Sequence, residues 1–376
     1  MVKIMVTGDN HIGLKFDNYK DIKDILVEGR FKSLETLVQK ANDEKCDLFI
    51  VTGDLFDIQN VAKKNIKRAV EILSRFHNEV YVLPGNHDFY VKDNELWKEF
   101  INEASGKNIT LLNDRCVYET STGINLYPAF CDSKHSDVNA LEWIKDSEID
   151  TDKINIGIAH GTIEGLSSDQ EGKYFYMSKQ ELEDIPVDVW LIGHAHVPYP
   201  ELLRKNKKIE NERIYNVGTH AQTNVANMTD GYGMIIEVEK NKNTARIVDS
   251  GEYFFRRIEI DDSINNGSRL LEEVESKLPK TDRDKIVLEI KYIGNIDPAN
   301  QDMIDEINEK YKDEFLYLDY DTSELKINIS KESIEERFAE NTYTALFLKE
   351  LLNEPLEAQL AYDLFNTQKI KKERIK

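Results

Sequence analysis

The fold class the sequence predicts is a layered α/β sandwich, mixed sheets flanked by helices, with a second, smaller α/β domain and a helical C-terminal tail. Three observations carry this reading. Apolar runs of strand length alternate with stretches of helical period through residues 3–104, which calls for sheets covered by helices. Shorter strands then follow one another with little helix between them. Five of the strands end on Asp, Asn or His, which would place these side chains along one sheet edge, the usual binding crevice of an α/β fold.

Residues 3–8 read as the first strand, and His11-Ile12-Gly13 turns away from it. Over 28–45, Phe31, Leu34, Leu37, Val38 and Ala41 recur at helical spacing and would cover one sheet face. Residues 47–53 form the second strand, and a helix over 61–77 has Ile66, Ala69, Val70, Leu73 and Phe76 on its apolar side. The third strand, 80–83, is ended by Pro84-Gly85 and followed by a helix over 93–104 with Leu96, Trp97 and Phe100 inward. Residues 109–131 read as short strands and Leu141-Glu142-Trp143 as a short helix or turn. Strands at 154–159 and 187–193 are separated by a mainly polar segment, 161–186, expected to line the mouth of the site. Strands at 213–220 and 231–238 and a meander through 244–260 complete a domain spanning 1–260.

From 261 the composition changes. Asp261-Asp262-Ser263 and Asn265-Asn266-Gly267 punctuate the chain, and a helix (268–278), a strand (285–291), a helix (299–311) and strands near 315–319 and 324–329 give a small α/β domain over 261–331. The tail, 332–376, contains no Gly and lacks strand alternation; Phe338, Leu346, Phe347, Leu351 and Leu352, then Leu360, Leu364 and Phe365 after Pro355, form apolar helical faces. They would either pack back on the chain or dock on a partner, and the end, KIKKERIK, is basic.

Composition bounds the function. Hydrophobic content is 40% and charged content 32%, a globular balance. No segment reaches transmembrane or signal-peptide length, so a cytoplasmic protein without a membrane partner is expected. Cys46, Cys116 and Cys131 are odd in number and widely spaced, which fits neither a disulfide framework nor a thiolate metal site; they read as small buried hydrophobes. The formal net charge of −21 disfavours non-specific adhesion to nucleic acid, so a polyanionic substrate would need bound cations, a local basic surface or a partner.

The strand exits are KIMVTGDNH (Asp9, His11), DLFIVTGDLFD (Asp54, Asp57), VYVLPGNHD (Asn86, His87, Asp88), INIGIAHG (His160) and VWLIGHAH (His194, His196). Asp9, His11, Asp54, Asn86, His160, His194 and His196 are oxygen and nitrogen ligands without a thiolate, a set that suits manganese, iron, zinc or magnesium and in its His-carboxylate mixture resembles a Mn or Fe centre. Seven exceed what one tetrahedral ion needs, so two ions are inferred. A carboxylate bridging them at about 3.5–4 Å would let the pair activate a water and hold a phosphate's non-bridging oxygens, the chemistry of phosphoester hydrolysis. His87, beside a ligand, would point elsewhere and protonate the leaving-group oxygen, with Asp88 orienting it.

The series GDNH, GDLFD, GNHD, AHG and GHAH resembles the five motifs of the calcineurin-like metallophosphoesterases over roughly residues 1–240. Within them the opening DNHIG, the GDLFD form and the length are most similar to the DNA double-strand-break repair nucleases of the SbcD and meiotic-recombination family. That resemblance implies one manganese held by Asp9, His11, Asp54 and His196, another by Asp54, Asn86, His160 and His194, and His87 as the catalytic histidine. It further implies 3′-to-5′ exonuclease and endonuclease activity on DNA, a homodimer, a DNA-capping role for 261–331, and a coiled-coil ABC ATPase of the SbcC kind bound by the tail. Two features depart from the pattern: Asp57 stands where several relatives have histidine, and Val217-Gly218-Thr219-His220 where Pro-Gly-Ser is frequent, with His220 a phosphate contact or, in the preferred reading, a core or surface residue.

Basic candidates for DNA contact are Lys63, Lys64, Lys67 and Arg68, and Arg204, Lys205, Lys207 and Lys208. Two other functions stay open: a phosphodiesterase or phosphatase of small substrates using the same ligands, and a scaffold that has lost catalysis.

Overall fold

The computed structural model describes residues 1–166, 172–206, 208–227, 229–262, 267–296, 298–327, 329–354, 357–362 and 364–365. The chain opens with β1 (Val2–Thr7), α1 (Lys23–Asp43), β2 (Leu48–Val51), α2 (Lys63–Leu73), β3 (Glu79–Val82), α3 (Glu95–Ala104) and β4 (Ile109–Leu111). β1 pairs parallel with β2, β2 with β3 and β3 with β4, and each helix is the crossover that a parallel pair requires. Strand alternation then decides the layers. Val2, Ile4, Val6, Leu48, Ile50 and Tyr81 point to one side, while Met5, Phe49, Val51, Val80 and Val82 point to the other, against Phe31, Leu34, Leu37, Leu73, Trp97 and Phe100 of the helices. With both faces buried, the strands are apolar at successive positions.

The chain continues through β5 (Tyr118–Glu119), β6 (Asn125–Ala129), α4 (Glu142–Lys145), β7 (Asn155–His160), α5 (Lys179–Asp184), β8 (Val189–Gly193), α6 (Glu201–Asn206), β9 (Lys208–Glu210), β10 (Ile214–Asn216), β11 (Tyr232–Glu239) and β12 (Lys242–Asp249). One sheet runs β4-β3-β2-β1-β11-β12-β9, the other β10-β8-β7-β6-β5. They meet through Ile4, Val6 and Ile50 on one side and Leu126, Ile156, Ile158, Val189, Leu191 and Tyr215 on the other. Outside the second sheet, Tyr127, Ala159, Trp190 and Ile192 pack with Leu141, Ile144 and Leu182. The result is the expected layered sandwich, mixed sheets flanked by helices.

The contacts divide the chain into two compact units, Met1–Phe254 and Phe255–Lys376. In the second, β13 (Phe254–Asp262), α7 (Gly267–Lys277), β14 (Ile286–Ile296), α8 (Pro298–Tyr311) and β15 (Tyr317–Ile327) form a three-stranded sheet in the order β13-β14-β15 with two helices. α9 (Lys331–Arg337), which touches α8, and α10 (Tyr343–Glu350) follow. Ile334, Ala345, Leu348 and Tyr362 are buried together, with Phe338, Leu352 and Phe365 packed against them, while Leu346, Leu360 and Leu364 are exposed. The basic end, KIKKERIK, lies outside the described residues. No helix among the described residues is long and apolar enough to cross a membrane.

Three local expectations change. α1 begins at Lys23 rather than 28, because Ile22 and Leu26 are buried two turns and one turn before Arg30 among charges that hide their period. The strand ending near 260 belongs to the three-stranded sheet rather than to the preceding meander. The two strands expected at 315–319 and 324–329 are one, β15, whose parallel register with β14 shifts between Lys291 and Ile293. Cys46 and Cys131 are buried, whereas Cys116 is exposed in the turn after β4.

Trp97, Trp143 and Trp190 are the three tryptophans and all lie in the first unit, so intrinsic fluorescence reports its unfolding. Ile158→Ala, which empties part of the core between the sheets, is expected to lower the unfolding free energy of that unit in urea by about 2–5 kcal/mol. Val138→Ala, at an exposed position, should stay within about 0.5 kcal/mol of the unaltered chain.

Candidate metal centre

The candidate ligands follow the carboxyl ends of β1, β2 and β3 in one sheet and β7 and β8 in the other. Pairing of β1 with β2 continues past the strands: Asp9 N–H donates to the Gly53 carbonyl at 3.0 Å, His11 N–H to Asp54 at 3.0 Å, Ile12 N–H to Leu55 at 2.9 Å and Asp57 N–H back to Ile12 at 3.1 Å. Within this ladder Asp9 (φ 49°), His11 (φ 42°) and Asp54 (φ 51°) take left-handed backbone, as does His194 (φ 104°) on the other sheet. Each costs about 1–3 kcal/mol outside glycine, and such strain gathers at functional sites. Gly85 lets the GNHD turn close on this ladder, since a Cβ there would lie 2.2 Å from Asp54 Oδ1.

Two groups of donors result, and Asp54 faces both. His11 Nε2 and His196 Nε2 stand 3.1 Å apart, with Asp54 Oδ2 at 3.9 Å from the former and Asp9 Oδ1 at 3.7 Å from the latter. His160 Nε2 lies 3.0 Å from Asn86 Oδ1 and 3.4 Å from Asp54 Oδ2, and His194 Nδ1 lies 3.1 Å from the same Asn86 oxygen. Donors each about 2.1 Å from one ion lie about 3 Å apart at right angles and about 4.2 Å apart when opposite, and all of these separations fall in that range. Asp9, His11 and His196, and Asp9, Asp54 and His160, are each close enough to serve one ion, as are His11, Asp57 and His87. The histidine tautomers agree. His160 Nδ1 meets the Thr52 carbonyl at 2.9 Å; a carbonyl only accepts, so Nδ1 carries a hydrogen in either protonation state and Nε2 is the nitrogen that offers its lone pair once deprotonated.

The charge balance points the same way. Asp9, Asp54 and Asp88 are buried, and none of them has a Lys or Arg ion-pair partner among the described residues. Burial, with Asp54 nearby, pushes Asp9 up to about 8 and Asp88 up to about 7. Burial works against the Asp54 charge too, yet His160, His11 and His87 hold its carboxyl well below the usual range. Burial would lower His160, but Asp54 and Asp9 carry it up to about 9. His196 is driven down to about 3 by burial and by His11 and Arg30. A cluster of carboxylates that cannot all ionise unaided is a site that cations complete.

His87 Nδ1 bonds to the Asp57 carbonyl at 2.8 Å, and its ring meets His11 edge-on at 4.8 Å between centroids. The structure does not bring the Asp88 carboxylate to this ring, as the sequence reading has it. Asp88 instead accepts from Gly85 N–H at 2.7 Å and Phe56 N–H at 2.9 Å, because a buried turn must first satisfy its own amides. The residue that reaches both histidines is Asp57, whose carboxylate lies 3.3 Å from His11 Nδ1. It stands in view in the GDLFD motif, but its partners do not. Tyr174, from the segment expected at the mouth of the site, stacks on His194 at 5.3 Å; no periodicity marks it. His220 is in the core, its Nε2 on the Arg30 carbonyl at 2.9 Å.

The basic candidates divide. Lys63 pairs with Glu99 at 2.7 Å, and Arg68 forks onto Glu28 at 2.6 Å while lying over the Phe31 ring. Lys64 and Lys67 are exposed, and Lys208 is 3.9 Å from Glu210. The side chains of Arg204 and Lys205, and Lys207 entirely, lie outside the described residues.

A donor must lose its proton before it ligates, and Asp9 and His160 both hold theirs at neutral pH in the cation-free site. Manganese binding at pH 7 is therefore expected to release protons, and its affinity to rise between pH 6 and pH 8. Titration calorimetry in buffers of different ionisation heat reads the proton count directly, and an affinity independent of pH would contradict the assignment.

Comparison with known proteins adds a family to this geometry. Over 125 residues the chain is 28% identical to the DNA double-strand break repair protein Mre11 of Methanosarcina acetivorans, a match covering 31% of this chain and 19% of that protein, so the chain spans about a fifth of that relative's length. Among solved structures it is similar to the calcineurin-like phosphoesterase YfkN from Bacillus subtilis (13% identity, 66% of this chain and 90% of that one, TM-score 0.36). A dimetal phosphatase from Danio rerio is also similar (11% identity, 66% and 99%, TM-score 0.39). Residues 2–198, just over half of the chain and containing every candidate ligand, match the model of the family described as calcineurin-like phosphoesterase. The chain therefore belongs to the calcineurin-like phosphoesterase family, with groups of side chains in the matched region that could hold a metal ion.

Proposed function

We propose that this phosphoesterase is a manganese-dependent DNA nuclease, a 3′-to-5′ exonuclease and endonuclease acting in double-strand-break repair. The observation that carries the hydrolytic part is the pair of donor groups sharing Asp54. Asp9, His11, Asp54 and His196 would hold one manganese, and Asp54, Asn86, His160 and His194 the other. When bound, two such ions supply an activated water and a clamp on the phosphate's charge. The nuclease part is supported by the similarity to the repair protein over 125 residues. Residues 261–331 as a DNA cap, 332–376 as the segment that binds an SbcC-type coiled-coil ABC ATPase, and a homodimer belong to the same proposal, as does a cytoplasmic location.

The chain's own residues then divide the work. The Asp57 carbonyl accepts from His87 Nδ1, which leaves Nε2 as the nitrogen that faces substrate; as imidazolium, His87 donates that proton to the departing oxygen. The Asp57 carboxylate keeps His11 turned so that Nε2 faces the donor group. Asp88 holds the GNHD turn against the loop after β2 through Phe56 and Gly85.

The −21 charge and the ion pairs that engage Lys63 and Arg68 favour a second reading, hydrolysis of a small phosphodiester or phosphomonoester without DNA. Manganese-dependent hydrolysis of linear DNA, compared with that of bis-p-nitrophenyl phosphate, separates the two. Activity confined to the small ester, even with a coiled-coil ATPase supplied, would rule out the nuclease. On either substrate His87→Ala is expected to lower kcat about 10²–10⁴-fold with manganese content retained. If cleavage by His87→Ala matched that of the unaltered chain, a catalytically silent scaffold would be the better description.

A further inference from the structure

One charged group at the site has no part in the chemistry above. Arg30 lies on α1 with 3% of its surface exposed, and its guanidinium forms no ion pair with a carboxylate among the described residues. It donates to backbone instead. Nε and Nη2 both meet the Asn10 carbonyl, at 3.0 and 2.6 Å, and Nη1 meets the carbonyls of Ala221 and Gln222, each at 3.1 Å. The Asp9 carbonyl is 3.5 Å from Nη2 and also accepts from Thr219 Oγ1 at 2.8 Å. Burial lowers the pKa of Arg30 to about 10 against the pull of Asp57 and Asp9, so it remains charged at neutral pH.

These contacts answer a need of the turn itself. Left-handed backbone at Asp9 and His11, either side of Asn10, takes the Asp9 and Asn10 carbonyls out of any strand ladder, and a buried carbonyl without a donor costs about 1–3 kcal/mol. A planar fork of five N–H groups is the side chain best suited to several converging carbonyls. Coulomb's law alone works the other way, since a buried cation beside a divalent site repels its ion. The position of Arg30 thus makes sense through geometry rather than through charge.

We infer that Arg30 is a positioning residue for the metal centre: by gripping the Asn10, Ala221 and Gln222 carbonyls it holds the Asp9-Asn10-His11 turn so that the Asp9 carboxylate and the His11 imidazole converge on one cation. The inference rests on the reading of this site as a metal centre, not on DNA as substrate.

The test is manganese titration calorimetry on the full chain and on Arg30→Met, Arg30→Lys and Thr219→Val, with circular dichroism to establish folding. Arg30→Met is expected to weaken manganese binding about 10–100-fold, the range for groups that orient ligands. At saturating manganese its kcat on bis-p-nitrophenyl phosphate should return with KM unchanged. Arg30→Lys keeps the charge without the fork and should fall between the two, and Thr219→Val should weaken binding less. If Arg30 acted by charge alone, Arg30→Met would bind manganese more tightly, and that sign, or an unchanged affinity in the folded variant, overturns the inference. Should Arg30→Met fail to fold, Arg30→Lys decides: affinity equal to that of the unaltered chain overturns the inference, and a loss supports it. An unaltered chain that bound no manganese would instead remove the metal-centre reading and this inference with it.

Discussion

The site is organised by one buried carboxylate serving two neighbourhoods. Asp54 Oδ2 faces His11 on one side and His160 on the other, and its second oxygen takes the His87 amide at 2.8 Å. Without cations the arrangement is unbalanced: neighbouring histidines keep Asp54 ionised while burial and its charge push Asp9 and Asp88 toward the neutral form. Such a cluster is costly in a protein interior unless cations bind there, which links the fold around Asp54 to the proposed metal centre.

The scaffold absorbs that cost by layering. Two sheets pack through Ile4, Ile50, Ile156, Ile158 and Leu191, with helices covering their outer faces, so the strand ends are fixed by a core that does not depend on the site. From those ends the β1 and β2 exits remain hydrogen-bonded through Asp57, so the strained residues sit inside a ladder rather than in a free loop. Backbone carbonyls do much of the aiming: Thr52 sets the His160 tautomer and Asp57 that of His87.

The acidic character of the chain constrains any account of substrate. At −21 the surface as a whole repels a polyanion, and two of the basic residues on α2 are neutralised by Glu99 and Glu28. Under the proposed function, attraction for a phosphoester would therefore be local, through cations at the donor groups. Binding of a long nucleic acid would need a further basic surface supplied from elsewhere, which is where an ATPase partner enters the proposal.

The layered α/β class and the placement of the seven candidate ligands at strand ends were legible in the sequence because they rest on local signals: alternation along strands, helical period, and Asp, Asn or His directly after an apolar run. Helix ends were less legible, as the early start of α1 shows, because Ile22 and Leu26 lie among charges. What only the tertiary structure decided were the pairings across the site. That Asp57 rather than Asp88 meets His87, that His220 is a core residue, and that Arg30 grips carbonyls 20 and 191 positions away are facts about backbone amides and carbonyls. Every residue except proline carries both of these groups, so residue identity says little about which of them will meet; that is settled when separate strand ends are brought to one edge.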